Sequence, residues 1–80
     1  MDWQQYITSD QGVLGGKPVI KGTRLAVELI QGRLADGWTT EMLLESYPSL
    51  QPEHIQAVHA FLLECMVDGM LMWPLKGNAE

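Results

Sequence analysis

The sequence predicts a mainly α domain: three helices in helix-turn-helix order behind a short N-terminal β-hairpin. Three observations carry this. Apolar residues recur at helical spacing from Val27 onward. Gly37, Pro48 and Pro52 punctuate that stretch where helices stop and start. Before Ala26 the pattern is different, with turn chemistry set between short apolar pairs. The 80 residues make one domain, divided into a hairpin arm (1–26), a helix-turn-helix core (27–69) and an apolar C-terminal tail (70–80).

In the arm, Tyr6, Ile7 and Thr8 are strand formers, and Ser9-Asp10-Gln11-Gly12 is a turn sequence. Val19-Ile20 offers the second strand after Gly15-Gly16-Lys17-Pro18, and nothing in residues 1–26 reads as helix. Val27, Ile30 and Leu34 then mark one face of a first helix, which Gly37 closes at the position that favours positive φ. Thr39 or Thr40 caps a second helix, with Glu41 in its first turn and Met42, Leu43, Leu44 and Tyr47 as its apolar side. Pro48 stops it. Pro52 opens a third helix at the N1 position, and Ile55, Val58, Leu62 and Met66 form its stripe as far as Gly69. Short, short and long helices joined by tight turns are the plan of a helix-turn-helix core.

Composition narrows the function classes. A chain this small has a thin core, and its single Cys65 excludes an internal disulfide, so association with a partner or a second copy is the cheapest source of further burial. A reducing cytoplasm fits, no secretion signal is read at Met1-Asp2-Trp3-Gln4-Gln5-Tyr6, and no apolar run reaches the ~20 residues of a membrane span. Charge divides unevenly. Residues 1–33 carry Lys17, Lys21, Arg24 and Arg33 against Asp2, Asp10 and Glu28, whereas residues 34–80 carry Lys76 against seven carboxylates. Nucleic-acid affinity comes largely from Lys and Arg on phosphates, so DNA binding by the isolated chain is expected to be weak.

The run Gly15-Gly16-Lys17-Pro18-Val19-Ile20-Lys21-Gly22-Thr23-Arg24-Leu25, with Gly37-Trp38-Thr39, Tyr47-Pro48 and Ile55, resembles the domain-of-unknown-function 433 family over about Tyr6 to Leu62. The resemblance implies a homeodomain-like helical core and a protein similar to VapB-type antitoxins, which are encoded beside a PIN-like ribonuclease toxin and bind DNA as autoregulators. The chain departs from the family at Ala26, where a proline is common. It also departs at Met42, where an acidic residue completes a capping box, and at Gln51-Pro52-Glu53-His54, where a Thr cap and an acidic pair are usual. Weaker helix caps are expected from the last two.

Gly16-Lys17 resembles the end of a phosphate-binding loop, but Gln11 stands where that loop needs glycine and Pro18 where it needs Ser or Thr. Lys17, Lys21, Thr23 and Arg24 form a candidate contact for a DNA phosphate or an acidic partner face. The structural alternative has Thr23 bonding the turn and Arg24 tying the hairpin to Glu28 or Asp36. On the third helix Gln56 is suited to adenine, but Glu53 and Glu64 oppose phosphate. His54 and His59 lie roughly 140° apart round a helix, so they do not form a metal pair. No catalytic residue, metal or cofactor is assigned, and Cys65 reads as an inert core thiol. Leu63, Val67, Met70, Leu71 and Trp73 exceed what a one-sided helix needs and read as a protein interface; the alternative is a tail that thickens the core or pairs with itself.

These readings converge on an antitoxin-type regulator, a homodimer that binds a toxin encoded nearby and, in complex, operator DNA. An interaction adaptor or dimerisation module that never touches DNA is the alternative.

Overall fold

The computed structural model of the chain describes residues 1–69. Two-residue strands β1 (Ile7–Thr8) and β2 (Val19–Ile20) pair antiparallel, Ile7 opposite Ile20 and Thr8 opposite Val19. Three helices follow: α1 (Val27–Ala35), α2 (Thr40–Ser46) and α3 (Pro52–Val67). The chain is mainly α with an N-terminal hairpin, as its periodicity predicts. Residues before β1 differ from expectation, because Trp3–Gln5 forms a 3-10 turn. Asp2 is the cause: its side chain accepts from the Gln4 amide, a cap signal that the strand-forming Tyr6 and Ile7 obscure.

The hairpin is held to the helices through main chain. Val19 bridges Ala26, the Ile20 amide donates to the Leu25 carbonyl at 3.0 Å, and the Val27 amide donates to the Pro18 carbonyl at 2.9 Å. This last bond satisfies one of the orphan amides at the start of α1, where Ala26 has no side chain to cap with. The two later helices find substitutes for the acidic capping partner. Thr39 Oγ1 accepts from the Met42 amide at 3.1 Å while Met42 Sδ accepts from the Thr39 amide at 3.5 Å. At α3, His54 Nδ1 accepts from the Gln51 amide at 2.9 Å. A thioether and an imidazole nitrogen thus take the role that sequence assigns to a carboxylate, the thioether more weakly.

Ile7, Ile20, Val27, Ile30, Leu43, Leu50, Ile55, Ala57 and Val58 form one core, with Trp3, Tyr6, Leu25, Leu34, Trp38, Leu44, Tyr47, Phe61 and Leu62 packed around it. Val27 and Ile30 are buried, and Leu34 lies at the margin. The expected stripe of α3 holds at Ile55, Val58 and Leu62 but not at Met66, which is exposed, while Cys65 is buried. Helix geometry explains the difference. At about 100° per residue Met66 is turned toward the exposed Leu63, whereas Cys65 is turned toward Phe61, which Trp3 covers at 4.8 Å.

Candidate functional site

Three surfaces carry the residues singled out by sequence: the Gly15-to-Arg24 segment around β2, the N-terminal half of α3 and the C-terminal end of α3. They differ in how much of their chemistry is spent on the fold.

The Gly15-to-Arg24 segment is largely spent. Leu14, Gly15 and Gly16 all have positive φ, and a Cβ on Gly16 (φ 91°) would meet Gln11 Nε2 at 2.7 Å. Only glycine fits there without displacing Gln11. The Ser9 hydroxyl donates to the Gly16 carbonyl and closes the loop. Thr23 Oγ1 donates to the Ile20 carbonyl at 2.8 Å and accepts from the Leu25 amide at 3.0 Å, so its hydroxyl is occupied by the turn it sits in.

The cations of this segment are spread out. Lys17 Nζ pairs with Glu28 Oε1 at 2.9 Å, across two exposed side chains, an arrangement worth at most ~1 kcal/mol. Lys21 and Arg24 lie exposed at the other end of β2, about 13 Å along an extended strand from Lys17. The tie to Glu28 that the structural alternative gave to Arg24 is made by Lys17. Next to Lys17, a cleft of about 430 Å³ has Lys17 and Arg33 facing Glu28 and Asp36, a balance of charge that suits no phosphate.

In the N-terminal half of α3, Gln56 and Glu53 are exposed, and His54 is held by the Gln51 amide and by an edge-on contact with Tyr6 at 5.7 Å. The exposed residues of this half, Pro52, Glu53, Gln56 and His59, include no Lys or Arg. At the other end of α3, Leu63, Met66 and Val67 are 61%, 61% and 75% exposed. Leu63 and Val67 sit about 120–160° round the helix from the middle of the buried Ile55–Val58–Leu62–Cys65 face. Burial of their apolar surface is therefore available to a partner and not to the core. Met70, Leu71 and Trp73 lie outside the described residues.

One cluster escaped the sequence reading. The Arg33 guanidinium lies 5.0 Å from the Trp38 ring centroid, and Arg33 Nε donates to the Tyr47 hydroxyl at 3.3 Å. Trp38 stacks on Tyr47 at 6.4 Å. The Tyr47 hydrogen bond holds Arg33 more firmly charged than usual, and the trio fastens the α1–α2 turn to the end of α2. Its only early signal is that Trp38 follows the closing glycine of α1, where a side chain packs back on the last turn.

Among the described residues no three His, Cys, Asp or Glu side chains gather as a metal site, and no helix is long and apolar enough to cross a membrane. Cys65 is a buried free thiol. The profile of a family described as "Protein of unknown function (DUF433)" matches residues 7–62. The "Uncharacterized protein y4eO" of Sinorhizobium fredii (strain NBRC 101917 / NGR234) is 40% identical over 53 residues, which cover 66% of this chain and 24% of that protein. The match spans about a quarter of that relative's length. No solved structure matches the chain.

Proposed function

The chain belongs to the DUF433 family, and from that premise we propose that it is an antitoxin-type regulator, a binding module that occupies a PIN-like ribonuclease toxin through the outer end of α3. The observation that carries this reading is the unpartnered apolar surface at Leu63, Met66 and Val67. Charge supports it. A ribonuclease must hold RNA phosphates on Lys and Arg, and an acidic cover complements such a surface. This chain carries a net charge of −5, and Glu41, Glu45, Glu53 and Asp68 are all exposed on or beside α2 and α3.

Operator binding belongs to the complex in this reading, with the toxin or a second copy of the chain supplying cations that α3 lacks. A second reading, an interaction adaptor that never touches DNA, is favoured by the same absence of Lys and Arg among the exposed residues of α3. Co-purification of the full chain with the product of the adjacent reading frame tests the first reading; a neighbour that is no nuclease, or that does not bind, ends it. Salt-dependent mobility shifts on the chain's own promoter, with and without that partner, separate the two. The antitoxin reading expects a shift with the partner present, and the adaptor reading expects none.

A further inference from the structure

A groove of about 340 Å³ runs between α1 and α3, walled by Pro18, Val27, Ala35, Phe61 and Leu62. One feature of α1 marks it as a seat. Gly32 lines it, in mid-helix, where glycine is a poor choice, and apart from the helix's own backbone no atom lies within 4 Å of where its Cβ would be. The space above Gly32 is open.

We propose that the occupant is the chain's own C-terminal segment, Met70 to Leu75, with the Trp73 indole as the side chain that fills the groove. The way α3 ends aims it there. Gly69 has φ 81°, and its amide donates to the Met66 carbonyl at 3.2 Å, the inner bond of a Schellman turn. In that motif the residue after the glycine meets the residue three before the cap, which here is Cys65, so the exit from α3 suits a chain that turns toward Cys65. Helix α1 ends in the same way, with Gly37 at φ 97° and bonds from the Gly37 amide to Leu34 and the Trp38 amide to Arg33. There the residue after the glycine, Trp38, does lie over Arg33. Cys65 is buried, on the face that Leu62 and Phe61 continue toward the groove.

Reach agrees. Gly69 is about 12 Å along the helix from Phe61, and four extended residues span about 13 Å, which brings Trp73 level with Phe61 and Leu62. The segment is apolar, Met-Leu-Met-Trp-Pro-Leu, and so are the groove walls at Val27, Phe61 and Leu62. A tether this short holds the segment at an effective concentration of ~mM, which favours the chain's own tail over that of a second copy. The seat lies on the inner side of α3, apart from Leu63 and Val67, and does not rest on the proposed toxin.

The test is NMR on the full chain, with mixed isotope labelling to tell contacts within a chain from contacts between chains. The expected result is intramolecular contacts from the Trp73 ring to Phe61 and Leu62, with its indole N–H protected from exchange. Gly32→Leu, which fills the groove from α1, should abolish those contacts while the hairpin resonances stay in place. Trp73 resonances at random-coil positions in the wild-type chain, or contacts found only between copies, overturn the proposal whether or not the Gly32 variant folds.

Discussion

The Gly15-to-Arg24 segment and the last turns of α3 use their residues in opposite ways. The segment holds the most conspicuous motif of the chain, yet its Thr23 hydroxyl, its Gly16 backbone and its Lys17 ammonium are each taken up by the fold. The end of α3 has no motif, yet it leaves Leu63, Met66 and Val67 exposed on the side of the helix that the core does not reach. A motif can be specific because a backbone needs it, while the surface left over for a partner is defined only by what the core does not reach.

That contrast can be broken by substitution, beginning with the interior that both regions share. Ile20→Ala, at a fully buried position where the hairpin meets the core, should cost about 2–5 kcal/mol in urea unfolding, enough to unfold a marginal domain. Thr23→Val should cost about 1–2 kcal/mol by the same measurement, because it strips both bonds of the turn. Thr39→Ala should cost about 1 kcal/mol, read as a lower thermal midpoint, since it removes the cap of α2. At the exposed positions Lys21→Ala, Arg24→Ala, Leu63→Ser and Val67→Ser the account expects changes within about 0.5 kcal/mol. A cost above that at Arg24 would mean that the turn depends on its charge, and the contrast would fail on the hairpin side. Ala26→Pro should raise stability by about 0.4–1 kcal/mol, because Ala26 has φ −71° and no described hydrogen bond uses its amide.

Much of the fold was legible because it rests on local signals. Gly37 and Pro52 stand where the structure places a positive φ and an N1 residue, and the strands lie at Ile7–Thr8 and Val19–Ile20. What escaped depends on atoms far apart in sequence or on unusual donors and acceptors. The Trp3 indole reaches Glu64 at 3.1 Å and its ring meets Phe61 at 4.8 Å, contacts that tie residue 3 to the end of α3. No pattern in residues 1–6 announces them. The caps read as weak are completed by Met42 and His54, side chains that composition does not mark as capping partners. The stripe predicts Met66 on the buried face, but Cys65 takes that place, because the side of α3 that meets Trp3 is the side of Phe61 and Cys65. At the candidate site, the exposure of Leu63 and Val67 was legible as surplus apolar periodicity; the dispersal of Lys17 from Lys21 and Arg24 was not, since it depends on the course of β2.

The central claim is that the outer end of α3, and not the basic turn, is the surface that binds. Isothermal titration of the adjacent reading frame's product into three full-length chains tests it most directly: wild type, the Leu63→Asp/Val67→Asp double variant and the Lys21→Ala/Arg24→Ala double variant. The account predicts that the α3 variant loses at least about 30-fold in affinity, the scale of a hot spot, while the basic-turn variant stays within about threefold of wild type. The reverse order, with affinity lost at Lys21 and Arg24 and kept at Leu63 and Val67, would contradict it.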